Sequence, residues 1–165
     1  MADHEPRRHA GANMAHVNLS DDDLSDDDLS DADLSDAVLK RTNLHGANLR
    51  HAKMQRDDLS GADLSDARLP DANLHGANLT GANLARADLS RADLTDSDLR
   101  GADLTGADLT EADLRHAKLD RANPEAARSV AGASFRGATG LTDAQRDDCG
   151  DKWAVLDAAK GDATR

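Results

Sequence analysis

The chain has 165 residues, the length of one domain, yet it contains one Phe, one Trp and no Tyr, so the large side chains of an ordinary globular core are missing. Hydrophobic residues still make up 38 %, nearly all Ala and Leu, which implies a thin, regular core. A formal net charge of −12 argues against direct contact with a nucleic-acid backbone and leaves a protein partner, including one whose surface normally receives DNA.

Residues 1–11 carry charges but no periodic pattern and are expected to form a mobile N-terminal segment. Met1–Ala12 lacks an apolar run of signal-peptide length, and no segment approaches the ~18 apolar residues of a membrane span, so a soluble cytoplasmic protein without membrane contact is expected. The single Cys149 excludes an intramolecular disulfide framework.

From Met14 a register of five begins. Its centres fall at Met14, Leu19, Leu24 and every fifth residue to Leu119, and all 22 are Leu except Met14 and Met54. Two residues before each centre, 16 of the 22 positions are Ala; the exceptions are Val17, Asp22, Asp27, Thr42, Asp57 and Ser97. A step of five turns a helical residue by ~140°, so the Leu would share no helix face. On a straight strand an odd step sends alternate Leu to opposite faces. Both Ala and Leu can face one interior only if the chain turns a corner in every unit. Four corners make a square coil of about twenty residues, and coils stacked at ~4.8 Å give a β-solenoid roughly 26 Å long, stabilised by nearest-neighbour stacking.

Units such as Ala72-Asn73-Leu74-His75-Gly76 and Ala102-Asp103-Leu104-Thr105-Gly106 resemble the A-(D/N)-L-x-x signature of the pentapeptide-repeat family. The resemblance covers about residues 12–123. It implies an all-β, right-handed quadrilateral β-helix with Leu and the preceding Ala inside.

Residues twenty apart should stack on one face. This places Asp21 against Arg41, Asp36 against Arg56 and Asp66 against Arg86, and strings Asp31, His51, Asp71, Arg91 and Glu111 together, as register-setting surface pairs would be arranged. Nine Asp and no basic residue lie between Asp21 and Asp36, followed by a basic band of Lys40, Arg41, Arg50, Lys53 and Arg56. The candidate partner-facing acidic patch is therefore Asp21, Asp23, Asp26, Asp28, Asp31, Asp33 and Asp36. The best-known activity in the family is DNA mimicry toward DNA gyrase, and duplex DNA would carry ~15 charges over such a rod. The repeat region has 23 acidic against 12 basic residues, a comparable excess, but it is concentrated at one end.

Asp22, Asp27 and Asp57 stand at inward positions. A loose or partly open first coil would accommodate Asp22 and Asp27, while Asp57 is expected to point at backbone amides of a distorted turn in Gln55–Asp58. The Asp-rich opening lacks the glycine and terminal Glu of an EF-hand loop, and His4, His9 and His16 lack ligand spacing, so no metal is expected. Thr80, Thr95, Thr105 and Thr110 fall on four different faces, which excludes an ice-binding array.

The register stops at Pro124, where the next Leu belongs. A displaced unit, Ala133–Gly137, follows with Phe135 at its centre. Thr142-Asp143-Ala144-Gln145 reads as a capping box opening a short helix that Gly150 ends. Asp151–Leu156 suggests a second helix with Trp153, Leu156 and Ala159 on one side. Residues 124–165 are thus expected to be a cap with one or two short helices, and Trp153 with Leu156 a candidate homodimer contact. Cys149 is read as a packed apolar residue.

No nucleophile, phosphate loop, cofactor motif or paired acid and base appears, so the chain is expected to be no enzyme. The favoured function is a protein-interaction or structural rod of unidentified partner. The alternative is an acidic DNA mimic binding gyrase or another DNA-binding protein, in the manner of quinolone-type resistance.

Overall fold

The computed structural model describes residues 7–151, 154 and 155. Its organisation follows from where each unit places its five backbone N–H groups. The unit Ala62–Asp66 serves as the example. The Ala62 N–H donates to the Leu59 carbonyl at 3.0 Å and closes a turn whose third residue, Gly61, has φ +67°. That pairing is the type II turn pattern. The Asp63 N–H donates to the Thr42 carbonyl in the preceding level at 3.0 Å, while the N–H groups of Leu64 and Asp66 donate to Asn83 and Ala85 in the following level at 2.7 and 3.0 Å. The remaining N–H, from Ser65, is accepted by the Asp63 Oδ1 at 3.0 Å. Every backbone donor of the unit therefore has a partner.

This accounting explains the residue preferences. Asp or Asn before the Leu supplies the acceptor for the N–H two positions on. Arg68 lacks such an oxygen, and the position it would have served is Pro70, which has no N–H. The residue before each Ala must adopt a left-handed conformation, and sixteen non-glycine residues do so, with φ between 54° and 64°. Asp and Gly are common there because they tolerate it best.

Parallel bridges link residues twenty apart, from Arg8 with Asp28 to Asp98 with Lys118, in four columns. They define four faces, named here for the first fully laddered level: face 1 around Leu24, face 2 around Leu29, face 3 around Leu34 and face 4 around Leu39. Inside, Leu29 through Leu119 are completely buried with the Ala beside them. The result is a β-solenoid whose core is one continuous column.

The ladder reaches Arg8, within the segment 1–11 that the hydrophobic pattern set apart, because backbone pairing needs no Leu at the centre. Nor is there a distorted turn at Asp57. Arg56 has φ 60°, like its counterparts, and Asp58 bridges Val38 and Asn78 in register.

At Pro124–Ala126 a 3-10 turn adds one residue, and the next bridges join residues 21 apart, Asp108 with Ser129 and Asp113 with Ser134. Phe135 is fully buried in that last level. Helix α1 (Asp143–Asp151) then covers the end. Its capping box is reciprocal, Gln145 N–H to Thr142 Oγ1 at 3.2 Å and Thr142 N–H to Gln145 Oε1 at 2.9 Å. Gln145 Nε2 also donates to the Ala122 carbonyl at 3.0 Å, replacing a partner from a further level. Gly150 lies inside α1 rather than ending it. The second helix expected over Asp151–Leu156 is not formed at Ala154 and Val155. The Val155 N–H donates to Ala133 at 2.7 Å and its carbonyl accepts from Phe135 at 2.8 Å, so a β-branched residue covers an otherwise open edge. Cys149 is buried.

Candidate functional site

The seven candidate acidic residues lie within one level, so they encircle the rod instead of running along it. Asp23, Asp28 and Asp33 stand before a Leu. Each uses Oδ1 to accept from the N–H and hydroxyl of the Ser two residues on, at 3.2 and 2.7 Å in all three cases. The bonds from Ser30 and Ser35 hold the Asp28 and Asp33 carboxyls below the usual carboxylate range. Asp21, Asp26, Asp31 and Asp36 occupy corners in the left-handed conformation.

The following level decides which of these charges meet a basic side chain there. Arg41 forms a two-bond fork with Asp21 at 2.7 and 2.7 Å, and Arg56 one with Asp36 at 2.8 and 2.7 Å. Lys53 reaches Asp33 at 3.4 Å. The bond from Arg41 lowers the Asp21 pKa, and the bond from Arg56 lowers that of Asp36. Asp23 and Asp28 instead receive neutral amides, Asn43 Nδ2 and Asn48 Nδ2, both at 2.9 Å. Over Asp26 the chain has Gly46, where a Cβ would collide with the Asp26 carboxylate. The level after Asp31 offers His51. The basic band thus pairs with Asp21, Asp33 and Asp36, and the positive charge of Arg8 acts on Asp28 from the preceding level, while Asp26 and Asp31 meet Gly46 and His51 in the following one.

The three inward carboxylates have different fates. Asp22 is exposed. Asp27 is completely buried and accepts the Arg7 N–H at 2.7 Å, so that level is closed rather than loose. Asp57 is 1 % exposed; its Oδ1 accepts the Ala37 N–H at 3.0 Å and its Oδ2 has no hydrogen-bond partner among the described residues. Burial pushes its pKa up to about 8, with Asp36 and Asp33 adding to the rise and the Ala37 N–H opposing it.

Trp153 and Leu156 lie outside the described residues. Among the described residues no group of His, Cys, Asp or Glu is arranged to hold a metal ion, and no helix is long and apolar enough to cross a membrane.

Tandem five-residue units stacked in parallel register around an Ala and Leu column define a β-solenoid built on a short repeat. The family model for pentapeptide repeats matches residues 19–56, 58–96 and 87–123, and the chain belongs to the pentapeptide-repeat family. It is similar to a pentapeptide repeat protein, Rfr23, from the cyanobacterium Cyanothece 51142, with 32 % identity and a TM-score of 0.56 over 70 % of this chain and 89 % of that one. It also has the fold of QnrB1, a plasmid-mediated fluoroquinolone resistance protein, with a TM-score of 0.69 and 17 % identity over 91 % of this chain and 77 % of that one. No curated protein matches the sequence.

Proposed function

We propose that the chain is a non-enzymatic rod that binds a protein partner through its outer surface. One observation carries this reading: the interior is a packed column, mostly Leu and Ala, which leaves the outward rows of Asp, Asn, Ser, Thr and Arg to act. We take the winding to be right-handed with about twenty residues per coil, and the protein to act in the cytoplasm. Affinity capture from extracts of the native host, repeated over a salt series, tests the reading. Loss of every specific partner at physiological ionic strength would sink it.

The second reading is an acidic mimic that occupies a DNA-binding surface, with DNA gyrase as the partner the family resemblance suggests. What supports it is the acidic level itself, with nine Asp and no basic residue between Asp21 and Asp36. Such binding should weaken steeply with salt. Replacing Asp23, Asp26, Asp28 and Asp31 together by Asn keeps the side-chain oxygens and removes the charge. If that variant inhibits or protects gyrase in a supercoiling assay as the parent does, mimicry fails. The homodimer through Trp153 and Leu156 is a separate proposal, and Trp153→Ala with unchanged mass in light scattering would remove it.

A further inference from the structure

Between residues 40 and 118 the chain has eleven Lys and Arg, and nine of them sit within ion-pair distance of a carboxylate. The two that do not, among the described residues, are Arg50 and Arg68. The reason is positional. Six of the pairs join a basic residue to an Asp twenty residues earlier, as Arg86 does with Asp66, and two join Arg100 and Arg115 to the Asp two residues earlier. Arg50 has Ser30 at the first of these places and Asn48 at the second; Arg68 has Asn48 at the first, and the Asp66 at its second is taken by the Arg86 fork. Asp88, bridged to Arg68 from the following level, is outside ion-pair distance, and its Oδ1 takes the Ser90 N–H at 3.0 Å.

Both arginines are exposed on face 2, in adjacent levels. Arg68 stacks on Asn48 and Arg50 lies two residues beyond it, a diagonal of roughly 7–8 Å that long side chains span easily. Arg50 is held in place: its Nε donates to His51 Nε2 at 3.1 Å, and the His51 N–H donates to the carbonyl of buried Pro70 at 3.1 Å. The nearby carboxylates are engaged elsewhere, Asp71 by the Arg91 fork at 2.8 and 2.7 Å and Asp28 by Ser30 and Asn48.

We propose that Arg50 and Arg68 form a recognition point for a single oxyanion, a carboxylate or phosphate group presented by a protein partner. Two guanidinium groups converging on one anion supply charge-assisted, directional hydrogen bonds. An extended polyanion does not fit, because the surrounding chain is strongly acidic. The pair lies on the same face as Asp28, one and two levels further along the stack, and its test does not depend on gyrase mimicry.

The test follows the Arg Nε–H resonances of the full-length, 15N-labelled protein during titration with inorganic phosphate and, separately, with acetate, at ionic strength held constant with chloride. The Arg50 and Arg68 signals should shift together and saturate, while those of the paired Arg41 and Arg56 stay in place. Arg50→Gln or Arg68→Gln should weaken binding at the remaining arginine by about tenfold, with an unchanged thermal melt showing that the rod is intact. Phosphate alone acting marks a phosphoryl group, acetate alone a carboxylate, and both the shared chemistry. No saturable shift with either anion, an equal shift at Arg41 and Arg56, or a shift at one arginine that survives loss of the other would overturn the proposal.

Discussion

Replacing Asp57 by Ala should stabilise the rod, increasingly so as pH rises. Asp57 stands between Ala37 and Ala77 in the stack, so the substitution restores the residue found one level away on either side. Its loss orphans no donor, because the Ala37 N–H also reaches the Leu34 carbonyl at 2.8 Å. The folded pKa of about 8 lies far above the ordinary value of 3.8. Between those values the folded chain retains a proton that the unfolded chain has released, so raising the pH favours unfolding by ~1.4 kcal/mol per unit. Between pH 5 and pH 8 the parent should therefore lose about 4 kcal/mol relative to Asp57→Ala. The carboxylates with lowered pKa values, such as Asp28 and Asp33, act in the opposite sense: their contribution is present above the unfolded value and is lost as the pH falls through their folded values. That window is separate, and subtracting the variant curve removes it. Urea unfolding at several pH values across this range reads the difference. A constant gap between variant and parent, or a gap that narrows as pH rises, refutes the reasoning. Asp57→Asn should also lose the pH dependence but gain less stability, since it leaves an amide where Oδ2 has no partner.

Gly81→Ala and Gly140→Ala separate backbone strain from collision. Gly81 has φ +66° with no atom near its missing Cβ, so its replacement should cost about 1 kcal/mol. A Cβ at Gly140 would lie 2.3 Å from the Asp120 backbone nitrogen, so a thermal melt should show a clearly larger loss there. Asp63→Ala removes the acceptor for the Ser65 N–H, the Ser65 hydroxyl and Asn83 Nδ2, and should cost ~1–3 kcal/mol, whereas Asp63→Asn keeps Oδ1 and should cost little; equal effects in urea unfolding would contradict this. Gln145→Ala should speed amide hydrogen exchange throughout α1, because Gln145 both completes its capping box and ties it to the Ala122 carbonyl. Leu79→Asp puts a carboxylate in the fully buried column, and a melt unchanged by it would count against the core described here.

The architecture was legible because period five is incompatible with both helix and straight strand. The stacking of Asp21 with Arg41 and of Asp36 with Arg56 followed from counting twenty residues, and the forks between them agree. Less legible was why the residue before each Ala is so often Asp, Gly or Arg: the signal was the same period, but it reflects a left-handed turn as well as a charge ladder. The cap was read in part. Its capping box rests on local chemistry, whereas Val155 is extended because an open edge around Phe135 lies opposite it, a demand that local helical periodicity cannot express.

The inward carboxylates and the surface charges mark the boundary. Asp22, Asp27 and Asp57 share one repeat position, yet one is exposed and two are buried in closed levels. By itself the sequence determined the five-residue unit, its buried Leu and Ala, and the spacing of residues that stack, all of which follow from side-chain pattern and backbone geometry. Only the tertiary structure decided which of the seven acidic residues pair with a basic side chain of the next level and which two of the arginines between residues 40 and 118 lie outside ion-pair distance of a described carboxylate. Those outcomes depend on whether a side chain reaches toward the preceding or the following level, and a repeat that looks alike in both directions along the chain does not specify that choice.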